Sequence, residues 1–326
     1  MSAAALDVSV IVCTRGRPEG LRRLLQSALA LEPVPGLSWE ILVVDNLGDP
    51  ATAAVVAGFA DVLPVRCVVE PEPGLSNARN RGLASAAGRH LCWTDDDVIL
   101  DPAWLAGYAR AFARFPEAAL FGGPILPELE EPSPPWLAPV RDRWPLISVF
   151  AERRAEDYAP IAFAGGRTPY GANYAVRADV QRRFPYDPAL GYAPGRARTG
   201  EESDVVYRML KAGHEGWWTP ESKVRHLITP DRQTLDYVRT YFRQLGGSAA
   251  YLRRVRPMDN YGELRRRALF SYLNVPALAA LAAANRLAFG VAKGAGLTGP
   301  ALGFLARQGF YEGVADECRA KGGGAG

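Results

Sequence analysis

The 326-residue sequence has only four cysteines, three histidines and, among its 38 basic residues, four lysines. The cysteines (Cys13, Cys67, Cys92 and Cys318) stand far apart with no CxxC pair, and the first three lie inside apolar runs. That pattern excludes a disulfide framework, a redox dithiol motif and a structural zinc site, and reads as buried thiols in a reducing compartment. No G-x-G-x-x-G follows the first apolar run. Cys13-Thr14-Arg15-Gly16-Arg17 stands there instead, putting side chains where a dinucleotide fold needs bare backbone. All four lysines fall after residue 210, so the first-loop lysine expected of a sugar-1-phosphate nucleotidyltransferase is missing. A basic n-region before the first apolar stretch is also missing, so no cleaved secretory leader is expected. Nor does any stretch combine clustered bases with exposed aromatics in a known binding pattern, so no nucleic-acid partner is expected.

What remains is ordinary globular material, 48% hydrophobic and 22% charged. Its charge is unevenly placed. Residues 1–250 carry 27 Lys and Arg against 30 Asp and Glu, so the whole net positive charge belongs to residues 251–326. Within that tail, Ala268 to Asn285 are 18 uncharged residues bracketed by Arg265-Arg266-Arg267 and Arg286. The run reaches the length of a membrane span but is rich in alanine and contains Pro276. It reads as a weak span, as an interfacial helix pair with arginines at the headgroups, or as plain helical packing. An anionic membrane surface met through residues 251–310, on the cytoplasmic side, is the partner this charge asymmetry suggests.

Short apolar runs at Val8–Cys13, Ile41–Val44, Val65–Val69, His90–Thr94 and Ala119–Phe121 alternate with helical patterns over Glu19–Leu31, Thr52–Phe59, Ser76–Ala87 and Ala103–Phe115. Strand-helix alternation with wholly apolar strands predicts an α/β fold, a mostly parallel, doubly wound sheet covered on both faces. Seven prolines between Pro124 and Pro145 predict a long loop there, with no helix and no inner strand. Further on, Glu202–Lys211 reads as a helix closed by Gly213, Gly216–Thr219 and Lys223–Ile228 as strands, and 234–256 as a helical hairpin or one broken helix. Three parts follow: residues 1–125, residues 126–230, and a basic helical extension over 231–326.

The runs end in chemistry. Thr14-Arg15 follows the first, Asp45-Asn46 the second, and Asp95-Asp96-Asp97 the fourth. In an open parallel sheet these ends line one crevice. Adjacent carboxylates about 5 Å apart repel by roughly 3 kcal/mol at an effective dielectric near 20. The cluster therefore calls for a hard divalent cation, Mg2+ or Mn2+, or else is a solvated turn that caps the next helix. Glu201-Glu202 opens a helix, where one carboxylate suits a general base. Thr199-x-x-Glu202 is equally a capping box.

Taken together, Val8–Thr14, Glu40-Ile-Leu-Val-Val-Asp45-Asn46, Gly74-Leu-Ser-Asn-Ala-Arg79-Asn80-Arg-Gly82, Thr94–Asp97, Gly171-Ala-Asn173, Gly200-Glu-Glu202-Ser-Asp204 and His226 resemble the family 2 glycosyltransferases, in the expected order over residues 8–250. The resemblance implies a glycosyltransferase-A fold, with a nucleotide-sugar-binding half, an acceptor-binding half and inverting, metal-dependent transfer from a nucleoside-diphosphate sugar to a glycan or lipid-linked acceptor. It implies that Thr14, Arg15, Asp45, Arg79 and Asp95 hold the donor and that Asp96, Asp97 and His226 lie at the metal. The register within Asp95–Asp97 stays open. The family pair is Glu-Asp with the second residue as base, which points to Glu202 here and leaves Glu201 as the alternative. Asn173, Trp217 and Trp218 are the expected acceptor contacts. A non-catalytic carbohydrate-binding protein on the same fold is the competing reading, and a dinucleotide-dependent oxidoreductase a weaker one.

Overall fold

The apolar runs become strands whose two faces are both covered. In the computed structural model, which describes residues 6–162, 167–256 and 275–322, β1 (Leu6–Thr14), β2 (Trp39–Asp45), β3 (Val65–Val69) and β4 (Gly88–Asp95) lie parallel in the order β3-β2-β1-β4. Side chains alternate along β1. Val10 and Val12 join one buried cluster with Leu24, Trp104 and Phe121, while Ile11 joins the opposite one with Leu42, Trp93 and Tyr174.

The connecting helices are α1 (Pro18–Ala28), α2 (Pro50–Ala57) and α3 (Leu75–Ser85). Pro18 occupies the first turn of α1, where a missing N–H costs nothing. Leu21, Leu24, Leu25 and Ala28 then turn one stripe inward. Asp49 caps α2 by accepting from the Ala51 N–H at 3.0 Å. In α3, a Cβ on Gly82 would stand 2.8 Å from Ile11 and 3.3 Å from Val44, so only glycine lets the helix settle on the sheet here.

Register decides the site. Thr14 lies opposite Asp45 and Cys13 opposite Asp95, so β1, β2 and β4 finish at a common edge. Beyond the edge, β5 (Val98–Leu100) leads into α4 (Trp104–Arg114) and β6 (Leu120–Gly122). β8 (Asn173–Arg177) inserts antiparallel between β4 and β6, and Gly216–Trp218 adds parallel to β6, completing seven strands. A separate three-stranded sheet has Val224–Ile228 between β5 and β7 (Ile125–Leu129). The proline-rich run therefore begins as a strand instead of a loop. β7 is an edge strand, the position where Pro127 is tolerated.

Two compact units emerge: Met1–Glu128 with Glu152–Arg196 and Glu201–Leu227, and Leu129–Ala151 with Ala197–Gly200 and Ile228–Gly326. The second is helical. Leu235–Val255 is one continuous helix, capped by Thr234 accepting from the Tyr237 N–H at 3.1 Å, and so is neither the expected hairpin nor a broken helix. It crosses Thr298–Gly322 at backbone contact. A Cβ on Gly246, Gly309 or Gly313 would meet a carbonyl oxygen of the facing helix at 2.1, 2.3 and 1.8 Å. Arg243 and Asp316 pair beside this seam at 2.6 Å. The uncharged run Ala268–Asn285 lies partly outside the described residues; its remainder belongs to the helix Val275–Gly294.

Gly313→Ala forces the two helices apart, and it is expected to cost at least about 2 kcal/mol in urea denaturation. An unchanged midpoint would show that the crossing has slack.

Candidate active site

The edge formed by β1, β2 and β4 gathers carboxylates faster than it gathers positive charge. Asp96 is buried just past β4, accepting from the Thr14 hydroxyl at 2.7 Å and from Arg17 at 3.1 Å. Burial first, then the neighbouring Asp97, pushes the Asp96 carboxyl up to about 6, against Arg17 and Thr14. Arg17 also reaches Asp97 at 3.3 Å. It was not among the residues expected at the site, although it stands in the loop directly after β1.

Asp97 meets His226 through the second sheet. β5 pairs antiparallel with Val224–Ile228, setting His226 opposite Val98, and the Leu227 N–H donates to the Asp97 carbonyl at 2.8 Å. His226 Nε2 thereby comes within 3.6 Å of Asp97 Oδ1. Among the described residues no three His, Cys, Asp or Glu side chains converge into a ready-made cation cage. Two donors, a hard carboxylate and an imidazole, fit a cation that takes its remaining ligands from a diphosphate and water. Asp96 has both oxygens engaged by Thr14 and Arg17, and Arg17 bridges it to Asp97.

Arg79 is the buried hub. It projects from α3 with 3% of its side chain exposed, lying 3.3 Å from Asp95 and 3.6 Å from Glu201. The Tyr174 hydroxyl lies 3.5 Å away and the Tyr186 ring at 5.6 Å. Burial opposes the guanidinium charge, but Glu201, Tyr174 and Asp95 hold it protonated well above the ordinary arginine range. A Cβ on Gly171 would lie 2.3 Å from its Nη2, which explains why glycine stands in front of it.

Glu201 opens the helix Glu201–Lys211 and is buried. Burial and then the adjacent Glu202 push it up to about 7, with Arg79 offsetting only part of this at a distance longer than a hydrogen bond. Glu202 is half-buried and accepts from Ser203 Oγ at 3.4 Å. Thr199 Oγ1 is buried with no hydrogen-bond partner, so the expected capping box is not made.

Other expected contacts sit differently. Asp45 spends both carboxylate oxygens on its own loop, accepting from the Leu47 and Asp49 N–H groups at 2.9 and 2.7 Å. Arg15 donates to the Asn46 carbonyl. The three expected acceptor contacts are engaged within the protein. Asn173 is wholly buried; its Oδ1 accepts from Trp104 and Tyr108, and its Nδ2 donates to the Pro124 and Ser222 carbonyls. With every polar position used, it ties its strand to α4 and to the loops at Pro124 and Ser222, and has nothing left for a sugar. Trp217 stacks on Phe115 at 4.1 Å, and Trp218 is fully buried with its indole N–H on the Ala155 carbonyl. Both tryptophans are packing residues.

A mostly parallel sheet with an acid cluster at its carboxyl edge and a carboxylate pair at a nearby helix start defines a glycosyltransferase-A type protein. The family model for glycosyl transferase family 2 matches residues 9–168, just under half of the chain. The chain is similar to the succinoglycan biosynthesis protein ExoM of Rhizobium meliloti (strain 1021), 28% identical over 247 residues covering 73% of this chain and 72% of that protein. ExoO of the same organism is 32% identical over 96 residues, 29% of this chain and 27% of its own length. In fold it is similar to the mannosyltransferase PcManGT from Pyrobaculum calidifontis, solved with GDP-Man and Mn2+ (TM-score 0.62, 18% identity, 98% of this chain and 89% of that one). TarS 1–349 of S. aureus, solved with UDP, gives a TM-score of 0.53 at 14% identity over 98% of this chain and 92% of that one. The chain is a glycosyltransferase.

Asn173→Ala strands four buried polar partners and is expected to cost at least about 3 kcal/mol in chemical denaturation. A loss below about 1 kcal/mol would contradict its structural role. Because the folded protein holds the Glu201 proton more tightly than the unfolded chain, Glu201 weakens the fold progressively as pH rises from its ordinary 4.5 through about 7. Glu201→Gln removes that dependence. Its stability relative to the parent is expected to rise by roughly 2 kcal/mol from pH 5 to pH 8, and a pH-independent difference would refute the burial effect.

Proposed function

We propose that the enzyme transfers a sugar with inversion from a nucleoside-diphosphate sugar to the hydroxyl of a glycan or lipid-linked acceptor, in polysaccharide biosynthesis on the cytoplasmic side. The observation that carries this reading is the Asp95–Arg79–Glu201 bridge, which ties the acid cluster at the end of β4 to the helix start that bears Glu202. The similarity to ExoM, named for succinoglycan biosynthesis, supports the polysaccharide context. The nucleotide-bound neighbours support the donor class.

In this reading Glu202 is the general base. It takes the proton from the acceptor hydroxyl as that oxygen bonds to the anomeric carbon from the face opposite the diphosphate. The bond from the anomeric carbon to the diphosphate oxygen breaks in the same displacement, and the nucleoside diphosphate leaves with the electron pair. Asp97 and His226, with Asp96 next to Asp97 and bridged to it by Arg17, would hold Mg2+ or Mn2+. When bound, such a cation stabilises charge on the diphosphate by several kcal/mol. Thr14 and Arg17 keep Asp96 in place under this edge. Arg79 acts as a positioning residue by holding Glu201, and therefore the first turn of the helix, against the strand end.

Glu202→Gln is expected to keep the fold and the binding of nucleoside diphosphate while lowering transfer at least about 100-fold. Thermal-shift titration with UDP, GDP and NAD, with and without Mn2+, checks the binding half. Metal-dependent stabilisation by one nucleoside diphosphate and none by NAD is expected. Full turnover by the variant, or stabilisation by NAD alone, would overturn the reading.

A further inference from the structure

The helix Val275–Gly294 has two unlike faces. Its inner face packs against Thr298–Gly322, burying Leu278 and Ala282, and Arg307 donates to Asn285 Oδ1 at 3.3 Å. Its outer face carries Pro276, Ala280, Ala283, Leu287 and Val291 at helical spacing, all exposed. Leu287 and Val291 are 73% and 75% exposed, and Leu297 just beyond the helix is 53% exposed. An apolar ridge running the length of a 20-residue helix is too extended to be scattered surface hydrophobics.

Charge identifies what covers it. No Asp or Glu occurs between Glu263 and Glu312, whereas Arg265, Arg266, Arg267, Arg286, Lys293 and Arg307 all fall in that interval. Arg286 and Lys293 are exposed along one flank of the apolar ridge. An apolar stripe edged by cations, with Arg286 still 67% exposed although it pairs with Glu312 at 3.2 Å, matches the headgroup boundary of an anionic bilayer, where the stripe enters the acyl region and the cations meet lipid phosphates. It does not match a second copy of the same cationic surface, which would repel itself.

We infer that the enzyme docks on anionic membrane through this outer face, with Val275–Gly294 lying in the plane of the interface. A transmembrane orientation is excluded by the partner helix. Crossing the bilayer would carry Thr298–Gly322 along, and with it Glu312, Asp316, Glu317 and Arg319. Docking is separate from the transfer chemistry: the ridge contains none of the residues placed in the active site.

The test is flotation of the full chain with vesicles of phosphatidylcholine containing phosphatidylglycerol and with vesicles of phosphatidylcholine alone. Binding to the first and little to the second is expected, and Leu287→Glu combined with Val291→Glu should lower the bound fraction about tenfold. Both positions are exposed, so thermal midpoint and nucleoside-diphosphate binding should be unchanged in the variant. If the parent stays unbound with the anionic vesicles, or the double variant binds as well as the parent, the proposal fails. It also fails if light scattering shows a lipid-free dimer that the double variant abolishes, because the ridge would then be a subunit interface.

Discussion

A single buried guanidinium sets the terms for the active site. Arg79 has almost no contact with water, so its charge is tolerable only because Asp95 and Glu201 stand on either side of it. Those two carboxylates come from distant parts of the chain, one at the end of a central strand and the other at the first residue of a helix more than a hundred positions later. Removing the cation would leave two acids facing each other across a dry gap. Gly171 follows from the same constraint, since any side chain there would occupy the guanidinium's space.

Around this bridge the balance of charge is deliberately incomplete in the physical sense that acids outnumber nearby cations. Asp95, Asp96, Asp97, Glu201 and Glu202 face Arg17 and Arg79, and the two most buried members of the group, Asp96 and Glu201, are both pushed upward toward neutrality. A site left short of positive charge favours a bound divalent cation. The division of labour follows burial. Asp96 and Glu201 are buried against protein partners, while Asp95 and Glu202 are the more accessible members of the group.

Much of this was legible in the sequence because periodicity and strand ends are local signals. Apolar runs alternating with helical patterns, three of them followed by Thr14, Asp45 and Asp95, gave the parallel sheet and its chemical edge directly. The antiparallel insertion of Asn173–Arg177 was not legible, since nothing local marks the direction in which a strand pairs. The same blindness misled the reading of Asn173, Trp217 and Trp218: a polar or aromatic residue near a site looks alike in sequence whether it faces a ligand or locks a core. Val98–Leu100 went unnoticed as a strand because three residues carry little pattern, yet it is what brings His226 to Asp97. The glycine seam of the helical unit was equally hidden, because Gly246, Gly309 and Gly313 acquire meaning only when two helices separated by more than forty residues meet.

The most direct test of the central claim is a double-mutant cycle between Arg79 and Glu201, using Arg79→Met, Glu201→Gln and their combination, with stability measured by urea denaturation at pH 8. A bridge that holds the site together predicts a coupling energy of about 2 kcal/mol, with the double variant more stable than the sum of the single losses. Losses that add to within about 0.5 kcal/mol would mean that the two groups are neighbours without being partners.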